Sequence, residues 1–100
     1  MTTTPVRPKK WTNIIDLYDD GKYSAIWGNY DGDKKRCLGV RWNGDKDKCG
    51  YPSQGGNPLW YVEPDFLTKD ILFSLLYKAI QNKTAAQQKN VLTALSEIDT

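Results

Sequence analysis

The residues with the widest chemical reach in this 100-residue chain are its aromatics: four Trp, six Tyr and two Phe. Ten of the twelve fall between Trp11 and Phe66. Flat π-faces with a polar edge can stack on bases or anchor a protein partner, and they are equally ordinary core material for a small sheet. Half of a sheet's side chains point inwards. Part of the set therefore belongs to the core, and the rest is a candidate surface. That candidate binding surface comprises Tyr23, Trp27, Tyr51, Trp60 and Tyr61, with Arg41 among them.

Other chemistries are poorly supplied. Histidine is absent, so Cys37 and Cys49 have no imidazole base, and Glu63 and Glu97 are the only glutamates. Asp19, Asp20, Asp31, Asp33, Asp45 and Asp47 sit in turn sequences, where Asp is expected for its hydrogen bonds to the backbone. A structural zinc site needs about four N/S ligands, and two cysteines do not supply them. Asp31-Gly32-Asp33 and Asp45-Lys46-Asp47 lack the ligand ladder of a calcium loop. The glycine-rich run Gly50–Asn57 is not followed by the Lys-Ser/Thr pair of a phosphate loop. No catalytic, cofactor-binding or metal-ligating residue is assigned, and a small enzyme built on a pair of aspartates is the least favoured reading.

The elements that must position these residues change character along the chain. From Trp11 to Glu63, β-branched and aromatic runs alternate with Gly/Asp/Asn clusters, the pattern of strands joined by turns. Residues 13–18 also fit helical spacing, but Asp19-Asp20-Gly21-Lys22 is a tight-turn sequence and favours a hairpin. Leu38, Val40 and Trp42 alternate onto a core face, which places Gly39 and Arg41 on the other, open face. Residues 43–57 form a long irregular connection, and such loops are often functional. From Thr68 to Ile98 there is no Gly or Pro. Thr68 is read as the cap of a first helix and Thr84-Ala85-Ala86-Gln87 as the capping box of a second.

These signals predict strands near 13–19, 22–30, 35–43 and 58–63 and helices near 69–82 and 85–98. The fold class is α+β: a four-stranded antiparallel meander followed by two C-terminal helices on one face. In the first helix Ile71, Leu72, Leu75, Leu76, Ala79 and Ile80 form one stripe, widened by Phe73 and Tyr77. So broad an arc is consistent with a homodimer with Phe73 and Tyr77 at its interface; the alternative is that the second helix and the Trp11 segment cover the arc within one chain. The second helix has the narrower stripe Val91, Leu92, Leu95 and Ile98.

Residues 1–10 carry Arg7, Lys9 and Lys10 without an acid and read as a flexible basic arm; residues 11–100 read as one domain. The formal net charge of +2 resides in that arm, which leaves the body slightly acidic. A nucleic-acid module normally carries its basic excess on the folded surface. No apolar run approaches the roughly 20 residues of a membrane span, so no membrane partner is expected. With no export signal visible, the expected location is cytoplasmic, with both thiols reduced.

One longer pattern remains. Leu17-Tyr18-Asp19-Asp20-Gly21-Lys22-Tyr23-Ser24-Ala25-Ile26-Trp27-Gly28 is followed by Cys37-Leu38-Gly39-Val40-Arg41-Trp42-Asn43-Gly44, then Gly50-Tyr51-Pro52 and Pro58-Leu59-Trp60-Tyr61-Val62-Glu63-Pro64. This string resembles a group of small uncharacterised proteins encoded by integron and other mobile gene cassettes, over roughly residues 11–77. The resemblance implies a small bacterial cytoplasmic α+β protein and brings no catalytic residue with it. The functional expectation is a non-enzymatic accessory protein that binds an unidentified protein partner. The alternative is a binder of single-stranded nucleic acid through sheet aromatics and the basic arm.

Overall fold

The computed structural model describes residues 10–54, 57–81 and 86–98. In chain order its elements are β1 (Trp11–Asp19), β2 (Tyr23–Tyr30), β3 (Arg36–Trp42), β4 (Ser53–Gln54), β5 (Asn57–Pro58), β6 (Tyr61–Val62), α1 (Asp65–Gln81) and α2 (Gln88–Ile98). Strands β1, β2, β3 and β6 pair antiparallel in that order, while β4 and β5 form a separate two-stranded ladder inside the long connection. Both helices follow the sheet and pack on one of its faces, the α+β meander that the sequence predicts. All but the last residue of the N-terminal arm, and the Thr84 capping box, lie outside the described residues.

The hairpins form where the turn chemistry places them. Asp20 Oδ1 accepts from the amides of Lys22 and Tyr23, both at 2.8 Å, and Asp19 Oδ1 accepts from Gly21 N at 2.9 Å. Between β2 and β3 the Asp33 amide donates to Tyr30 O at 3.0 Å across Asp31 and Gly32, both at positive φ. Two left-handed residues in sequence give the twist that suits a tight hairpin.

On the helix face, Leu17 of β1, Ala25 and Trp27 of β2, and Leu38 and Val40 of β3 meet Leu72, Leu75 and Ala79 of α1 and Val91 and Ala94 of α2. Full burial of a Leu or Val stabilises by roughly 1.5–3 kcal/mol, so this layer dominates the stability of the fold. Backbone ties fix α2 over β1: Gln87 N donates to Leu17 O at 2.8 Å, and Asn90 Nδ2 to Asp16 O at 2.7 Å.

Element boundaries differ from expectation for local reasons. Helix α1 opens at Asp65, directly after Pro64, whose fixed φ suits a helix start. Thr68 is not its cap: the residue is buried in the first turn, and its hydroxyl donates to Pro64 O at 3.0 Å. Helix α2 opens at Gln88 rather than 85, because the Gln87 amide is already committed to β1. The expected strand 58–63 joins β3 only at its end, where Tyr61 and Val62 pair and the Glu63 amide donates to Leu38 O at 2.9 Å; Pro58 belongs to the small ladder instead. In β1 two bulges, after Thr12 and after Asp16, break the alternation, so Leu17, Tyr18 and Asp19 are buried in succession.

The second sheet face is the largest departure, since it is closed rather than open. Ser24 to Gly28 of β2 are all buried, which requires cover on both faces. Trp11, Ile26 and Trp60 make a second, smaller core there, with Ile14, Tyr30 and Cys37 at its margin. The Trp11 indole lies against Gly39, where an added Cβ would stand 2.7 Å from one indole carbon and 2.9 Å from the next. Gly39→Ala must therefore displace the Trp11 ring. It is expected to destabilise the protein by about 1–3 kcal/mol in urea unfolding.

Candidate functional site

The site begins with a side chain that the sequence reading placed on the open face. Arg41 is 1% exposed. Its guanidinium donates from one terminal nitrogen to Leu59 O at 2.7 Å and from the other to Cys49 O, and its central carbon lies 5.9 Å from the centre of the Trp60 ring. No acidic side chain pairs with it among the described residues. Burial lowers the Arg41 pKa from its ordinary value; two carbonyl dipoles and a π-face replace part of its water, the buried Nε has no hydrogen-bond partner among the described residues, and the group stays charged because a guanidinium does not lose its proton in a protein. Gly50, at φ 81°, passes close enough that a Cβ would collide with Trp42 O and with the guanidinium. Arg41 is thus a clamp on the segment between Asn43 and Trp60, not a surface contact.

The clamp sets the position of Tyr51. The Trp42 amide donates to Tyr51 O at 2.7 Å, and the Tyr51 amide returns a bond to Trp42 O at 3.0 Å. Paired residues of an antiparallel ladder point to the same face. Tyr23 is paired with Trp42, and Tyr61 with Val40. Tyr23, Trp42, Tyr51 and Tyr61 therefore gather on the helix side of the sheet, at the end that carries Trp42. The Tyr23 and Trp42 rings meet edge to face, with centres 4.7 Å apart. Tyr51 is 67% exposed, Trp42 56% and Tyr61 51%. At roughly 200 Å² per ring the three leave about 350 Å² uncovered, the size of a functional patch on a small protein.

Of the six candidate surface residues, the structure brings Tyr23, Tyr51 and Tyr61 together and removes three. Trp27 is buried in the main core, and its indole N–H donates to Glu97 Oε1 at 2.8 Å. Trp60 is buried in the second core, over Arg41. Arg41 is the clamp just described. The residue missed is Trp42, which alternation assigned to the core. It does share a face with Leu38 and Val40, but the helix layer does not cover it. Its place at the end of a strand, next to Asn43-Gly44, was the available signal.

A groove of about 740 Å³ opens at the other end of the sheet, between the β2–β3 turn, the start of α1 and the end of α2. It offers little reactivity. Burial, with Asp33 and Asp65 nearby, pushes the Cys37 thiol up to about 11, so about one molecule in ten thousand is thiolate at neutral pH. Glu97 is held by Arg36, which donates through Nε at 2.9 Å and through a terminal nitrogen, and by Trp27. The Arg36 bond lowers the Glu97 pKa and raises that of Arg36. Among the described residues no group of three or more Cys, Asp or Glu is placed to hold a metal ion, and no helix is long and apolar enough to cross a membrane.

Comparison with protein-family models, with curated proteins and with solved structures finds no match.

Two outcomes follow from this geometry. Arg41→Lys keeps the charge but cannot reach both carbonyls. It is expected to cost about 1.5–3 kcal/mol in chemical denaturation and to expose the 43–60 segment to limited proteolysis. Glu97→Gln keeps an acceptor for Trp27 and removes the ion pair, which for a pair partly open to solvent contributes at most about 1 kcal/mol. Because folding lowers the Glu97 pKa below its ordinary 4.5, that contribution is complete above this pH. It is lost as pH falls through the folded value. The stability gap between wild type and Glu97→Gln should be constant above about pH 5 and close below it.

Proposed function

We propose that the protein is a non-enzymatic binding module that holds an extended apolar or proline-rich segment of a protein partner on the Tyr23–Trp42–Tyr51–Tyr61 patch. The observation that carries this reading is the exposure of Trp42, a large ring held edge to face by Tyr23 and flanked by two further exposed tyrosines. Aromatic rows of this kind dock pre-extended peptides with little ordering cost on either side. The resemblance of the 11–77 string to mobile-cassette proteins supports an accessory role.

Charge favours a protein over a nucleic acid as partner. Lys34, Lys35 and Arg36 lie at the opposite end of β3 from Trp42, six residues or roughly 20 Å away, and Arg36 is already paired with Glu97. The lysines that do lie at the Trp42 end, Lys22, Lys46 and Lys48, are interleaved with Asp19, Asp20, Asp45 and Asp47, so they do not make the positive groove that single-strand binders combine with stacking.

Selection of peptides from a displayed random library, with the anisotropy of the dye-labelled peptide as the readout for wild type and variant alike, tests the proposal. The expected result is a set of apolar or proline-rich peptides whose affinity drops at least about tenfold in Trp42→Ala, with stability changed by less than about 1.5 kcal/mol. Equal binding to the variant would remove the patch from consideration. Tighter binding of oligo-dT, weakening steeply with salt, would favour the nucleic-acid reading.

A further inference from the structure

Helix α1 is apolar on two opposite sides. Thr68, Leu72, Leu75 and Ala79 are buried against the sheet and α2. Nearly opposite, at about 100° per residue, lie Phe66, Phe73, Tyr77 and Ile80. Their exposures are 78%, 51%, 62% and 59%. Steps of seven, four and three residues continue through Asp70 as a 3.5-residue repeat, the spacing with which one helix seats against another. None of these four side chains is a member of the Trp42 patch or of either core.

We propose that this row is the docking surface for a second copy of the chain, with the two α1 helices packed antiparallel about a two-fold axis near Phe73. Three observations select this occupant and orientation. The row is centred on Phe73, so a two-fold axis there sets Phe66 of each copy opposite Ile80 of the other and covers the whole row. Asp70 lies within the row. Parallel pairing would bury it against its own copy, whereas the antiparallel arrangement separates the two carboxylates by six residues, about 9 Å along the axis. Finally, at roughly 200 Å² per large side chain, the exposed fractions amount to roughly 500 Å² on each copy. The resulting interface of roughly 1,000 Å² lies at the lower bound for a specific one, so the dimer should dissociate on dilution.

Sedimentation equilibrium of the full chain at tens of micromolar is expected to show a species of twice the 11.4 kDa chain mass. Phe73→Asp should return it to a single chain with an unchanged circular dichroism spectrum, and Phe73→Leu should retain the dimer. Trp42→Ala should leave the mass unaltered, which separates this interface from the peptide-binding patch. For orientation, Phe66→Cys and Ile80→Cys chains mixed and oxidised should give mainly the mixed disulfide. A single-chain mass for wild type at these concentrations overturns the proposal. So does a dimer that survives Phe73→Asp, or preferential cross-linking of each variant to itself.

Discussion

The buried guanidinium of Arg41, which has no carboxylate partner among the described residues, is the constraint on which the rest of this structure depends. Leaving Arg41 in a half-formed pocket would strand a charge away from water, a penalty of several kcal/mol. The chain around it therefore has one workable arrangement. The Leu59 and Cys49 carbonyls must turn towards the guanidinium, Trp60 must lie over it, and Gly50 must slip past it. Cys49 and Leu59, at two points of a connection with little regular structure of its own, are thereby tied to β3. The second core of Trp11, Ile26 and Trp60 closes beside it.

The aromatics then divide by what covers them. Trp11, Trp27 and Trp60 are each buried, with a glycine, a carboxylate or a guanidinium against the ring. Trp42 stands at the end of β3 that carries Tyr23 and Tyr51, where the two-helix layer no longer reaches. The same layer leaves the outer side of α1 uncovered. Both exposed apolar surfaces thus have one origin: among the described residues the two helices form a single layer over one sheet face, and no further element packs over that layer or over the Trp42 end.

Local chemistry was legible in the sequence and coverage was not. Asp20-Gly21 and Asp31-Gly32 marked their turns because they depend only on neighbouring residues, and the Gly-free Leu/Ala/Lys stretch marked the helices. Period-two alternation correctly put Leu38, Val40 and Trp42 on one face and Gly39 and Arg41 on the other. It does not say whether a face is covered, or how far along. Trp42 was therefore read as core, and Arg41 and Trp60 as surface, because the cover over Arg41 comes from an irregular segment without periodicity. The two bulges in β1 were equally hidden, since Asn13 at φ 54° leaves no pattern in residue types.

Those bulges have a consequence for the life of the protein at high concentration. A nine-residue outer strand of Ile, Leu, Tyr and Trp would ordinarily offer a straight row of amides and carbonyls on which a foreign strand could add. Here the row is bent after Thr12 and again after Asp16. Part of its outer rim is already taken, with Leu17 O accepting from Gln87 N and Asp16 O from the Asn90 side chain. The segment that seats α2 thus also denies that rim to cross-β growth. Loosening α2 would do more than weaken the core, because it would uncover a template for aggregation.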